Sequence, residues 1–316
     1  MDIISEYIKI NGARQSILTM RTDASNPVLL IVHGGAGLPD RPLVQQCSKE
    51  LADCYTVVCW DQRGSGFSYT KGPLSIELLL GDLKAVAEYL RKTYRQDKIY
   101  IAGHSWGSYL GLRFAAACPE YVQYYIGTGQ YISCIQDEID RYRFAREQAE
   151  LQGDTAALKK LDNFGEPEGY HYAAGDKKAK LYVASKVLKY AGYFSRKNGV
   201  SLGKYARTGI KLYTKCYGAK LPVFLLGAER SYRILNTEQE QHDDISCITE
   251  LQVPVLLISG EEDMICPVPA AQRWFDNLQA PQKEFVKVKN ASHMVNFEQS
   301  QEWNRLLKEL RIKQSE

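Results

Sequence analysis

Short apolar runs that alternate with helical patterns constrain this chain most. Val28-Leu29-Leu30-Ile31-Val32 is five apolar residues in a row. A strand that reads this way is buried on both faces, a property of parallel sheets covered by helices. Further strands are expected at 55–60, 98–102, 122–127, 253–259 and 284–288. Helices are expected at 43–53, 75–94, 106–118, 270–278 and 299–312. Strand, helix, strand in succession gives a parallel sheet with right-handed crossovers. Ahead of it, residues 3–21 read as a hairpin turning at Asn11-Gly12. From about 134 to 252 the strands stop and the pattern is mostly helical, clearest at 137–152 and 176–193, with a break at 163–169. The expected layout is a doubly wound, mostly parallel α/β core in two parts, 1–133 and 253–316, interrupted by a helical insertion over 134–252.

Gly103-His104-Ser105-Trp106-Gly107 is a G-x-S-x-G pentapeptide. It follows an expected strand and opens an expected helix, the context of a nucleophile elbow. The turn is so tight that the serine takes a strained backbone position. Side chains two residues to either side would collide with neighbouring elements, hence the glycines. A serine hydroxyl is a weak nucleophile and needs a base. Of the five histidines, at 33, 104, 171, 242 and 293, His293 lies just after the last strand, at the sheet edge where the elbow points. The turn aims His104 elsewhere, His33 is expected to brace the loop it begins, and His171 and His242 fall in the insertion.

An acid must orient the imidazole and stabilise its cation. Asp263 suits this role at the end of the loop after the 253–259 strand, with Glu261 and Glu262 as rivals. The order Ser105, Asp263, His293 is the one such elbows are built into. Oxyanion donors are expected at the backbone N–H of Trp106 and of Gly35, or Ala36, in the loop His33-Gly34-Gly35-Ala36-Gly37. That loop lacks the GxxxxGK[ST] and GxGxxG spacings, so no nucleotide site is expected, and the chemistry requires no cofactor. Asp61-Gln62-Arg63-Gly64-Ser65-Gly66 ends another strand at the same edge. Asp61 and Arg63 are expected to tie loops together beneath the site.

Composition narrows the classes. A net charge of +3 in 316 residues, with acids mixed among the bases, gives no nucleic-acid surface. The densest basic stretch, Lys177, Lys178 and Lys180, also holds Asp176 and reads as a solvated helix face. Nowhere do about 20 apolar residues follow one another, so no membrane span is expected. Residues 1–10 have neither a basic start nor an apolar run, and no secretory leader is read there. The eight cysteines form no CxxC pair. That points to reduced, mostly buried thiols in a cytoplasmic protein, and away from zinc or any other metal.

Four segments together resemble the proline iminopeptidase family, serine aminopeptidases of the α/β-hydrolase fold. HGGAG at 33–37 is similar to the family's HGGPG loop, with Ala36 in place of proline. DQRGSG at 61–66 is similar to DQRG-x-G, and GHSWGS at 103–108 to GGSWGS, with His104 in place of glycine. GEEDMICP at 260–267 is similar to G-R-Y-D-x-x-C-P, which sets the acid at Asp263. The likeness covers the core. It implies removal of an N-terminal residue, a helical cap, and cap glutamates that hold the substrate's free ammonium. The family's W-x-x-W-E segment is missing, since no tryptophan lies between Trp106 and Trp274. Glu229-Arg230-Ser231-Tyr232 is similar to its second glutamate segment, E-N-H-Y. The resemblance thus makes Glu229 the candidate amine anchor, with Tyr232 and Gly34 as further substrate contacts. The competing reading of Glu229 is a surface pair with Arg230 or Arg233.

The expected partner is a small molecule or short peptide with a free amino end. A carboxylesterase under an apolar cap is the alternative, and a catalytically silent ligand receptor is a third reading. Acidic residues facing the pocket favour the first; an apolar lining favours the second.

Overall fold

In the hairpin, β1 (Asp2–Ile10) and β2 (Ala13–Arg21) pair antiparallel, with Asn11 and Gly12 both at positive φ, as a type I′ turn requires. The structure, a computed structural model, describes residues 1–242 and 245–314. Six further strands follow: β3 (Val28–Val32), β4 (Thr56–Trp60), β5 (Ile99–His104), β6 (Val122–Thr128), β7 (Val255–Gly260) and β8 (Lys283–Val288). They run parallel to one another, and the sheet order is β1-β2-β4-β3-β5-β6-β7-β8. Every residue of β3, β4, β5 and β7 is buried. Helices on both faces explain why these strands read as apolar runs rather than as alternations.

The helices α1 (Arg41–Cys47), α2 (Ile76–Tyr94) and α3 (Trp106–Ala117) lie among the first strands. Ser75 caps α2, its hydroxyl accepting from the N–H of Leu78. Between β6 and β7 come α4 (Cys134–Leu151), α5 (Thr155–Phe164), α6 (Asp176–Tyr190), α7 (Leu202–Tyr217) and α8 (Leu221–His242). The chain closes with α9 (Val268–Asn277), α10 (Val295–Glu298) and α11 (Ser300–Lys313). Leu79, Leu83, Leu110 and Trp274 fill the core on one face of the sheet, and Val44, Trp303 and Leu307 that on the other. A third cluster, with Tyr142, Leu161, Val183 and Val187, joins α4, α5 and α6 to Met264. Among the described residues no helix is long and apolar enough to cross a membrane.

The α/β-hydrolase architecture expected from the sequence is therefore the one observed. The single helix expected over 43–53 is instead α1 and a separate 3₁₀ turn, Lys49–Asp53, because Ser48 leaves helical geometry at φ −129°.

The sheet order fixes where a site can form. The chain steps from β3 to β4 on one side, then returns to β5 on the other. Loops leaving β3 and β5 at their carboxyl ends therefore diverge and open a crevice between them. The loop after β3 is His33–Gly37, and the residue after β5 is Ser105.

Candidate active site

Ser105 sits between β5 and α3 with φ 52° and ψ −119°, a conformation that few side chains tolerate. Its neighbours explain how the turn closes. A Cβ at Gly103 would lie 2.3 Å from the Gly107 carbonyl oxygen, and a Cβ at Gly107 would lie 1.9 Å from that of Val32. Only glycine fits at either place. The Ser105 N–H donates to the Thr128 carbonyl at 2.9 Å, which ties the elbow to the end of β6.

The Ser105 hydroxyl lies 3.0 Å from His293 Nε2, and His293 Nδ1 lies 2.9 Å from Asp263 Oδ2. An Nδ1–H donating to the carboxylate leaves Nε2 with the lone pair that faces the hydroxyl. The second oxygen of Asp263 accepts from the N–H groups of Ile265 and Cys266 at 2.8 and 3.0 Å. Asp263 and His293 are buried. Of the rival acids, Glu262 accepts from the Ser195 hydroxyl and pairs with Lys197 instead.

His104 does not face the Ser105 hydroxyl. Its Nε2 lies 3.0 Å from the His293 carbonyl, so its ring braces the loop that carries His293. Burial, and next the nearby His293, lower His104 to about 4, so it stays neutral and keeps that N–H. A Cβ at Gly34 would lie 2.8 Å from His104 Nδ1, so glycine is needed there for this contact. Burial likewise lowers His33 to about 4, and its Nε2 accepts from the Gln62 N–H at 3.1 Å. The Gln62 side chain donates to the His33 carbonyl at 2.9 Å and accepts from the Trp106 indole at 3.2 Å. The DQRG segment therefore locks the glycine loop to the elbow. Arg63 forks onto Asp82 at 2.6 and 2.7 Å, and Asp61 meets Arg41 at 3.2 Å, both pairs buried beneath the site.

A cavity of about 610 Å³ has Ser105, His293, Trp106, Gly35 and Ala36 in its walls. Trp106 is the first residue of α3, so its N–H belongs to the set with no partner inside the helix. Cys266 also borders this cavity. Burial, then the nearby Asp263, push its thiol well up, so it is no thiolate rival to Ser105.

The remaining sequence candidates separate. Tyr232 reaches the cavity although it is largely exposed. Gly34 borders the adjoining cavity beside His104. Glu229 is not brought to the Ser105 cavity. It is 69% exposed on α8 and lies 3.6 Å from Arg233, in the surface pair that was its competing reading. Among the described residues, the acids that border the Ser105 cavity are Glu138 on α4 and Glu240 on α8. Glu138 is buried, accepts from the Tyr172 hydroxyl at 2.7 Å, and lies 3.6 Å from Arg141. Glu240 accepts from Tyr170 at 2.7 Å. The sequence signal for Glu138 was its place one turn into the first helix after β6, at the carboxyl edge of the sheet. His171 is exposed and pairs with Asp176. The side chain of His242 lies outside the described residues.

Comparison with known proteins agrees with this fold. The family model for the alpha/beta hydrolase fold matches residues 27–300. The chain is 29% identical to the probable aminopeptidase YbaC of Bacillus subtilis, over 94% of this chain and 92% of that protein. It is 21% identical to the proline iminopeptidase PfmaB of Pestalotiopsis fici, over 93% and 95%. The crystal structure of proline iminopeptidase from Mycobacterium smegmatis shares the fold with a TM-score of 0.66 over 98% of both chains, at 16% identity. A match across most of the chain's length makes this protein a member of the alpha/beta hydrolase fold family.

Proposed function

We propose that this chain is a serine hydrolase that releases the N-terminal residue of small amides or short peptides through an acyl-enzyme on Ser105. The observation that carries the reading is the continuous Ser105, His293, Asp263 hydrogen-bond chain, whose Ser105 and His293 border a cavity that Glu138 and Glu240 also border. His293 Nε2 takes the hydroxyl proton while Oγ attacks the carbonyl carbon. The N–H groups of Gly35 and Trp106 receive the oxyanion. His293 then gives the proton to the leaving amine as the carbon–nitrogen bond breaks. Water, activated by the same imidazole, cleaves the ester that remains. Residues 134–252 act as the cap that closes the cavity from above.

In this reading Glu138 takes the part the sequence resemblance gave to Glu229. An ammonium is costly to desolvate unless a negative partner meets it. A carboxylate offers about four acceptor positions, so Tyr172 and Arg141 do not saturate Glu138. Glu240 is the second acid on the same wall. A carboxylesterase is the second reading, favoured by the aliphatic and aromatic walls of the adjoining cavity.

Alanine and proline arylamides, compared with their N-acetylated forms, test the proposal. Acetylation is expected to remove most activity. Glu138→Gln is expected to lower kcat/KM on free amines by about 10–150-fold, the equivalent of about 1.5–3 kcal/mol for a charged hydrogen bond. Glu229→Gln is expected to have no such effect. If acetylated amides and simple esters are cleaved as well as the free amines, the esterase reading replaces this one.

A further inference from the structure

Beside the Ser105 cavity lies a second one of about 480 Å³. Gly35, Leu38 and Tyr193 border both. Phe194, Tyr205, Tyr213, Phe224 and Phe297 contribute rings to its wall, and α7 contributes Gly209 and Ile210. Among the described residues its one acid or base besides the neutral His104 is Asp40, whose carboxyl is raised to about 7 chiefly by burial, so below neutral pH the wall holds little charge. Leu38, Ile210 and Leu225 also border it yet stay 44%, 68% and 58% exposed. Apolar side chains left wet around the mouth of an apolar cavity gain by meeting an apolar ligand. The volume is that of a small-molecule site.

We infer that this aromatic cavity is the subsite for the half of the substrate released from Ser105, and that it takes an aryl or branched alkyl leaving group. The inference rests on the hydrolase reading of Ser105. Its direction follows from His293. The leaving atom must receive its proton from His293 Nε2, so the released half lies beside that ring. His293 and Ser105 border the first cavity, Tyr193, whose ring meets the His293 ring edge-on at 5.1 Å, stands in the wall of both, and Met294, the next residue, borders the aromatic cavity alone. The two glutamates border the other cavity. The acyl half with its amine goes there, and the leaving half goes between the rings.

Gly209 provides the test. An added Cβ there meets nothing within 4 Å, and its φ is not in the left-handed region, so Gly209→Phe adds a ring to the cavity without straining α7. Gly203 is equally open on the same helix but does not border the cavity, and Gly203→Phe is the control. The substrates are ethyl acetate and 2-naphthyl acetate, which share an acyl group and need no amine. Binding of 2-naphthol to the Ser105→Ala chain is followed by fluorescence. Gly209→Phe is expected to lower kcat/KM for the naphthyl ester at least about tenfold relative to its effect on the ethyl ester, and to weaken naphthol binding by a similar factor. Gly203→Phe is expected to change neither. An unchanged ester ratio with unchanged naphthol binding overturns the subsite and leaves the Ser105 reading standing. With ethyl hexanoate added as a long-acyl ester, a Gly209→Phe effect that follows the acyl chain and not the alcohol also overturns it. Naphthol binding lost on Gly209→Phe, in a wild type that cleaves neither ester, removes the Ser105 reading and the leaving-group role while keeping an apolar site.

Discussion

The Ser105 hydroxyl and the His293 imidazole are held 3.0 Å apart by groups outside the pair. His104 holds the His293 backbone, Gln62 holds the glycine loop, and the N–H groups of Ile265 and Cys266 fix the Asp263 carboxylate. Asp263 bears most directly on the tautomer of His293. Asp263→Asn offers an amide where the ring needs an acceptor, and kcat is expected to fall on the order of ten-thousandfold with the fold retained. Glu262→Gln touches only Ser195 and Lys197 and is expected to change kcat little. The reverse pattern in steady-state kinetics on one activated ester would show that the acid has been misassigned. These residues were legible in the sequence because each stands at a fixed offset from a strand end. The role of His104 was not, since it depends on a contact across 189 positions of chain.

At the scale of elements, the elbow closes because α3 approaches β5 at Gly103 and β3 at Gly107 too closely for any side chain between them. Gly107→Ala would set a methyl 1.9 Å from the Val32 carbonyl oxygen, so α3 must move off the sheet. Urea unfolding is expected to show a loss of about 1–3 kcal/mol or more. Gly209→Ala is the contrast, in open space within α7, and is expected to gain about 0.5–1 kcal/mol from the lower entropy of the unfolded chain. Equal effects at the two glycines would contradict this account of the elbow. The same contrast shows why the core was legible and the insertion was not. β3 and β4 announce themselves by continuous apolar runs, and the hairpin by Asn11-Gly12. On α4 and α8, which face meets the cavity depends on how helices pack against one another. Glu229 and Glu138 therefore look alike in sequence, although one is exposed and the other buried.

Across the whole molecule, buried ionisable groups set opposing dependences on pH. Burial raises Glu298 to about 7 from the ordinary 4.5; its carboxylate accepts from the Ser292 N–H beside His293 at 2.9 Å. The native state then holds more protons than the unfolded chain between about 4.5 and 7, so this group makes stability fall as pH rises through that window. His33 and His104, lowered to about 4, act oppositely, and their contribution rises with pH between about 4 and 6.5. Glu298→Gln removes only the first effect. Its stability relative to wild type, from urea midpoints at several pH values, is expected to increase from pH 5 to 7.5. A difference independent of pH would mean that this carboxyl is not linked to folding. The central claim, that Ser105 is the nucleophile activated by His293, is tested most directly by covalent capture. After incubation with an alkyl fluorophosphonate, peptide mass spectrometry is expected to find one adduct, on Ser105, absent in Ser105→Ala and formed far more slowly in Asp263→Asn. An adduct on another residue, or none on a folded chain, would contradict the account.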